Sequence, residues 1–209
     1  MKLHTLLIGL CLCLAVISCS SDETITMEQE NSLKAYELMS LEWKLDTNNG
    51  QTIIEEKLPE FYFRNDSDTI MQVVINPLEN LLGNSKFVFN DSLRFAQLNY
   101  PEIQVFIPDE LSLLSETYGT LYGGTEVPFN QEPSVFPFSY NSTSTYALNG
   151  KSILTSNYTV FFKQNTATIL AIFRETTTGE RLELDGTWTG VFFNNIKVET
   201  IANAIDVLD

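Results

Sequence analysis

Short runs of aromatic and β-branched residues dominate this chain, and turn residues interrupt them at close intervals. From Leu41 onward the runs are separated by Asn, Asp, Gly, Pro and Ser, and no helical period competes with them over most of this length. Such a pattern is typical of many strands joined by turns. The sequence therefore predicts an all-β fold of antiparallel sheets, elongated or sandwich-like. We predict strands at residues 42–45, 61–64, 69–75, 86–89, 93–98, 103–107, 139–147, 157–162, 168–175 and 181–193, with 196–200 continuing the last.

One short segment before the strands has a helical pattern. Residues 33–39 place Ala35, Leu38 and Met39 on one helical face. We predict a short N-terminal helical segment of one or two turns there.

The clearest alternation lies near the end of the chain. Every second residue from Leu182 to Phe192 is apolar or glycine, and the residues between them are mostly polar. This is the pattern of a half-buried strand. Trp188 lies on the inner face between Gly186 and Gly190, and glycines in strands mark bends or close backbone approaches. We predict that Trp188 is buried and that both glycines leave room for its indole.

The first nineteen residues have the features of a bacterial export signal. Lys2 precedes an apolar run of about a dozen residues, whereas a helix needs roughly 20 to cross a hydrocarbon core. The run ends in Val-Ile-Ser-Cys, which resembles the lipoprotein box, where cleavage leaves a cysteine that carries lipids such as palmitate. We predict a lipoprotein signal peptide at residues 1–18, lipidation of Cys19 and a flexible tether at 19–32. The alternative is an ordinary signal peptide that leaves Cys19 as a free thiol.

The residues that follow Cys19 indicate where the protein is located in the cell. Residues 20–23 (Ser-Ser-Asp-Glu) resemble the export signals of Bacteroidota surface lipoproteins. The resemblance implies a protein that is anchored in the outer membrane by its lipids and exposed at the cell surface. Residues 33–209 would then form a single β-rich domain outside the cell.

Removal of the signal would leave little catalytic chemistry. His4, Cys11 and Cys13 lie within it, so the mature chain has no histidine and no cysteine except Cys19. This excludes Ser-His-Asp and Cys-His catalysis and zinc sites built from His or Cys. Residues 65–68 (Asn-Asp-Ser-Asp) lack the glycine and the distal glutamate of a calcium loop, which favours a solvated turn. We expect no enzymatic activity, no cofactor and no metal.

The charge balance narrows the range of partners. The chain has 12 Lys plus Arg against 27 Asp plus Glu, so loss of Lys2 leaves 11 against 27 and a net charge of −16. Such a surface repels phosphate backbones, and nucleic acid is therefore not an expected partner. It also disfavours electrostatic attraction to anionic lipid, which leaves the N-terminal lipid anchor as the expected membrane contact.

Two stretches in the C-terminal half occur in a familiar order. Residues 158–162 (Tyr-Thr-Val-Phe-Phe) precede a further apolar strand, and a hairpin then leads into residues 185–191 (Asp-Gly-Thr-Trp-Thr-Gly-Val). This layout resembles aerolysin-type β-pore-forming proteins, the epsilon-toxin and natterin-like group, over about residues 60–196. The resemblance implies long strands that run the length of an elongated molecule. It also implies either pore formation or an interaction role on the same scaffold.

A pore former of this kind needs a hairpin that enters the membrane. Each transmembrane β-strand takes about 9–11 residues of alternating character. Residues 138–146 fit this length best, with Phe138, Tyr140 and Tyr146 on the outward face. The same stretch also fits an ordinary amphipathic strand.

Residues 118–138 form the main irregular region. Glycines and prolines interrupt it, and Tyr118, Tyr122, Phe129 and Phe136 lie between them. Long loops inside a compact domain are often functional. We predict an interaction loop whose aromatics either contact a ligand or pack on their own sheet. Two classes of function stay open: an aerolysin-type scaffold, or a β-sandwich that binds a glycan or a protein. The possible ligands are a glycan, a lipid or a protein.

Overall fold

The computed structural model describes residues 34–114 and 117–205, which contain many strands and very little helix. The only helical elements in these ranges are α1 (Ser92–Ala96) and a short 3-10 turn at Leu111–Leu113. The predicted all-β fold is confirmed. The strands are β1 (Tyr36–Lys44), β2 (Gly50–Lys57), β3 (Phe61–Asn65), β4 (Met71–Ile75), β5 (Leu82–Phe89), β6 (Gln104–Ile107), β7 (Gly119–Thr120), β8 (Thr125–Pro128), β9 (Ser134–Pro137), β10 (Ser144–Leu148), β11 (Ser152–Glu175) and β12 (Arg181–Ala204).

A hairpin of two long strands lies at the centre of the fold. β11 and β12 have 24 residues each and pair antiparallel, from Arg174 and Arg181 near the turn to Ser152 and Ala204 at the open end. At about 3.3 Å per residue, each strand is about 80 Å long. The two strands predicted at 157–162 and 168–175 are therefore parts of one strand.

Three strands in succession cover the other edge of β11. β3 pairs with residues 152–156, β2 with 159–166 and β1 with 168–175, all antiparallel. On the far side, β12 pairs with β5 and β5 with β9, while β7 pairs with β1. These strands form one eight-stranded sheet, and β4–β10 and β6–β8 form two separate two-stranded sheets.

The long hairpin buries opposite faces at its two ends. The buried residues of β11 are even-numbered from Leu154 to Phe162 and mainly odd-numbered from Ala167 to Phe173. Because side chains alternate between the faces of a strand, the core changes sides just after Phe162. The β4–β10 pair packs on the first face, and β6, β8 and α1 pack on the second.

Trp188 lies at the centre of the larger core. Its indole is fully buried and donates its N–H to Ser85 Oγ at 2.8 Å. A Cβ on Gly190 would lie 2.3 Å from the indole, so this glycine does leave room for it. Gly186 has another role, because a Cβ there would lie 2.6 Å from a backbone carbonyl oxygen of β5.

Two local predictions are wrong, and one strand was not predicted. Residues 36–39 belong to β1 and not to a helix, because they pair with the end of β11. Residues 93–96 belong to α1 and not to a strand, because the Asp91 carboxylate caps the helix by accepting from Arg94 N at 2.9 Å. Runs this short fit both states, and pairing or capping decides between them. β2 escapes prediction because its residues are almost all exposed and show no alternation.

Candidate functional site

The candidate site lies where a two-stranded ribbon opens. The ribbon consists of β4 paired with β10 and, further along, β5 paired with β9. Ile75 lies opposite Ser144 at the end of the first pair, and Leu82 lies opposite Pro137 at the start of the second. Six residues intervene on each strand. The ribbon therefore opens and closes again without a change of register. The unpaired stretches, here called the opening, are residues 76–81 and 138–143.

Two prolines explain why the ribbon opens. Proline has no N–H to donate, and pairs in an antiparallel ladder alternate between hydrogen-bonded and non-hydrogen-bonded. In a continuous ribbon Pro77 would pair with Ser142, five positions along the ladder from the pair of Pro137 and Leu82. Because five is an odd number, one of these two pairs would be hydrogen-bonded and the other would not. One of the two prolines would then have to occupy a hydrogen-bonded pair. In the opening, the two stretches are joined by a side-chain bond, in which Ser142 Oγ donates to Asn76 Oδ1 at 3.2 Å.

The opening exposes an aromatic cleft. Phe138 stacks on Phe162 with ring centres 5.8 Å apart, and Tyr140 stacks on Phe193 at 4.6 Å with 12° between the ring planes. Tyr140 is nevertheless 52% exposed, so much of its ring is accessible to a ligand. The residues that define this aromatic cleft are Asp109, Phe136, Phe138, Tyr140, Lys163 and Phe193.

Two charged residues, Asp109 and Lys163, line the aromatic cleft and are held by neighbouring groups. The ammonium group of Lys163, whose side chain is 12% exposed, pairs with the carboxylate of Glu110. Fully buried Asn165 positions the adjoining segment, because its Nδ2 donates to the carbonyls of Pro108 at 3.3 Å and Asp109 at 3.0 Å. Apolar ring faces beside a few fixed polar groups are typical of a small-ligand site.

The predicted interaction loop is largely ordered, and its aromatics do not gather in one place. Residues 118–137 contain β7, β8 and β9. Phe129 is buried in the larger core, where Tyr100 donates its hydroxyl to the Phe129 carbonyl at 2.6 Å. Phe136 is buried beside Phe192, with ring centres 5.4 Å apart. Of the four predicted loop aromatics, Phe136 alone lines the aromatic cleft.

Tyr118 and Tyr122 lie outside the aromatic cleft. The Tyr118 hydroxyl donates to Asp185 Oδ1 at 3.3 Å, and the Lys44 ammonium lies 5.6 Å from the ring centre. Burial, followed by the negative charge of Asp185, raises the pKa of Tyr118 to about 12. Tyr122 is 84% exposed and stays a candidate contact residue.

The predicted membrane strand is interrupted. Residues 138–143 lie in the opening, and strand structure begins only at Ser144. Tyr146 lies in β10 with its hydroxyl 3.4 Å from that of Tyr158. A continuous strand over 138–146 is therefore wrong for its first six residues, because the ladder opens there. Membrane insertion of Phe138, Tyr140 and Tyr146 stays a prediction.

Lys163, Phe193 and Asp109 are site residues that sequence reasoning missed. They come from two strands and a connecting segment, which only the fold brings together. One signal was present: residues 161–162 and 192–193 are consecutive aromatics, which break the alternation of a half-buried strand. Two consecutive aromatic residues in a strand indicate a position along it where both faces of the strand are covered.

The turn at residues 65–68 is built around Asn65, which is buried. Its Nδ2 donates to the carbonyls of Thr69, Leu148 and Asn149 at 2.7, 3.1 and 2.9 Å. This buried amide stabilises the turn. Within the part of the chain that the structure describes, no three His, Cys, Asp or Glu side chains are grouped so that they could hold a metal ion.

Predictions about the membrane anchor concern another part of the chain. The signal peptide, Cys19 and the tether lie outside the described residues, so their roles stay predictions. Among residues 34–114 and 117–205, no helix has the length and apolar character needed to cross a membrane.

A solved structure shares the architecture described above. The crystal structure of lamprey immune protein matches 81% of this chain and 54% of its own, with a TM-score of 0.51 and 12% sequence identity. The chain shares its fold with lamprey immune protein. It spans about half the length of that protein, and at this identity the likeness concerns the fold alone.

Two further structures were matched with lower scores. Parasporin-2, a Bacillus thuringiensis toxin, matches 81% of this chain and 75% of its own, with a TM-score of 0.40 and 13% identity. An aerolysin-like protein of Bombina maxima matches 81% and 97%, with a TM-score of 0.30 and 11% identity. No family model and no curated protein matches the chain.

Proposed function

We propose that this chain is a lipid-anchored interaction protein of the bacterial surface, which uses an aerolysin-type scaffold to present a glycan-binding cleft. The observation that supports this most is Tyr140, which is half exposed and yet held against Phe193 at 4.6 Å. A ring that is already ordered loses little entropy when a ligand stacks on it. Asp109 and Lys163 line the same cleft, and a carboxylate and an ammonium group suit the hydroxyl groups of a sugar.

We propose binding without catalysis. The mature chain would contain no histidine and no free thiol if Cys19 carries lipid. The negative charge of the chain makes nucleic acid an unsuitable ligand, whereas a neutral glycan has no such conflict. Anchoring through Cys19 would hold the cleft at the outer surface, where extracellular glycans are within reach.

A glycan array with the purified full chain in detergent would test this function. The best glycan would then be titrated against the wild type and against Tyr140→Ala. We expect this change to weaken binding about 30-fold, because loss of a central aromatic side chain costs about 2 kcal/mol. Tyr62→Ala is the matched control, since Tyr62 is 53% exposed and lies in β3, outside the cleft. Equal affinity of the wild type and Tyr140→Ala would count against the proposal, as would an array without a hit.

Pore formation is a second candidate, favoured by the register of the interrupted ribbon. If the opening closed, at the cost of one ladder hydrogen bond at Pro77 or Pro137, residues 71–85 and 134–148 would pair along fifteen positions, which exceeds the 9–11 residues of a transmembrane strand. Release of dye from vesicles made of several lipid extracts would support this role. Glycan binding without any leakage would rule it out in favour of the interaction role.

A further inference from the structure

The outer edge of β12 is free over the second half of the strand. β12 pairs with β11 along almost all of its length, but on its other side β5 covers only residues 186–191. Among the described strands, none pairs with the outer edge of residues 192–204. An edge of this length carries a row of unpaired backbone N–H and C=O groups, which is a template for another strand.

Opposite charges flank Val198 on this free edge. Val198 lies in this edge, beyond the β-bulge at Asn194, and is 48% exposed. Lys197 and Glu199 lie on either side of it, with side chains 65% and 64% exposed. Because successive side chains alternate between faces, these two charges share one face of the sheet and Val198 lies on the other.

We propose that the free edge pairs with the same edge of a second copy, antiparallel, about a two-fold axis at Val198. In an interface of this symmetry, a residue that lies before the axis faces the residue at the same distance beyond it. Lys197 would therefore face the partner's Glu199, and Glu199 would face the partner's Lys197. Each charge on this edge would thus meet an opposite charge on an identical edge. This favours a second copy of the chain over an unrelated strand as the partner.

The charges also select this register over its neighbours. Hydrogen-bonded and non-hydrogen-bonded pairs alternate, so a two-fold axis must pass through a residue that faces itself. An axis at Lys197 would place the two lysines opposite each other, and an axis at Glu199 would do the same with the glutamates. Like charges directly opposite are destabilising, whereas opposite charges stabilise the pair. With the axis at Val198, residues 195–201 of the two copies would pair, and all of them lie beyond the β-bulge at Asn194 of β12.

Charge reversal tests the register directly. The mass of the purified full chain in detergent, measured by light scattering, is expected to be that of a dimer. Lys197→Glu and Glu199→Lys should each weaken the dimer roughly tenfold or more, because each places like charges opposite at two positions. The double variant restores complementary pairs and should restore the dimer. Arg181→Glu is the matched control, since Arg181 pairs with Glu183 at the same spacing on the same strand, at 2.7 Å.

Cross-linking gives a second readout that does not depend on charge. Val198→Cys should form an intermolecular disulfide, because residues directly opposite have Cα atoms about 4.5–5.5 Å apart, within disulfide reach. Ile201→Cys should not, since residue 201 faces residue 195 of the second copy and lies about 20 Å from its own counterpart. The unsubstituted chain sets the background from its own cysteines.

Three results would overturn the proposal. One is a monomeric wild-type chain at every concentration measured. Another is a dimer that the folded double variant of Lys197 and Glu199 fails to restore. The third is cross-linking through Ile201→Cys that equals cross-linking through Val198→Cys. None of these results depends on whether the aromatic cleft binds a glycan.

Discussion

Replacing Trp188 by alanine should destabilise the domain by about 4–6 kcal/mol. Truncation of a fully buried tryptophan costs about 3–5 kcal/mol in lost burial and cavity formation. Ser85 Oγ also loses the indole N–H that lies 2.8 Å away, which adds about 1 kcal/mol. The ring of Trp43, edge-on to the indole at 5.1 Å, would border the cavity. Domains have a total stability of only about 5–15 kcal/mol, so the variant should be close to unfolding at room temperature.

Urea unfolding followed by far-UV circular dichroism would measure this loss. Ser85→Ala isolates the hydrogen bond and should cost about 1–3 kcal/mol, because it leaves the buried indole N–H unpaired. Tyr62→Ala, a change of an exposed aromatic in β3, should stay within about 0.5 kcal/mol of the wild type. A loss below about 2 kcal/mol for Trp188→Ala would refute the assignment of Trp188 to the core. So would free quenching of its fluorescence by iodide in a Trp43→Phe background.

Three further predictions concern the hairpin turn, the core glycine and the anchor. Hydrogen bonds from Thr178 and its neighbour lower the pKa of Glu175 from 4.5 to about 2. A carboxyl group whose pKa is lowered in the folded state stabilises the fold above about pH 4.5, and this stabilisation is lost as the pH falls towards 2. Glu175→Gln should therefore lower the melting temperature at pH 7 but not at pH 2. Gly190→Ala should lower the free energy of unfolding by about 1–3 kcal/mol in urea, because the new methyl group overpacks against the indole. Gly119→Ala is the control and should cause no such loss, since there is open space at its Cβ position. Equal losses for the two variants would contradict this prediction. Cys19→Ala should move the protein from membranes to the soluble fraction, and a wild type that takes up no fatty-acid label would exclude lipidation.

The alternation in the sequence predicts the strands well where one face is buried throughout. It fails in the middle of β11, where Lys163, Gln164 and Asn165 suggest a break between two strands. The structure shows one strand there, because Lys163 is paired with Glu110 and buried Asn165 donates to two backbone carbonyls. These partners are distant in sequence, so the pattern alone could not show that polar residues continue the strand.

The candidate site could be predicted only in part. Phe138 and Tyr140 stand out in the sequence as outward-facing aromatics, and the structure places both at the aromatic cleft. The opening itself was not predictable, because the conflict between Pro77 and Pro137 appears only once the register of the ribbon is known. Phe193 likewise supports Tyr140 only in the folded chain, because β12 and the opening are far apart in sequence.

Fluorine NMR on the full chain labelled with 3-fluorotyrosine tests the central claim most directly. Resonances would be assigned with Tyr140→Phe, Tyr62→Phe and Tyr122→Phe, and the best glycan from the array would be titrated in. A ligand in the aromatic cleft should shift the Tyr140 resonance in a saturable way and leave that of Tyr62 unchanged. A saturable shift at Tyr62 or Tyr122, with Tyr140 unchanged, would contradict the assignment of the aromatic cleft as the binding site.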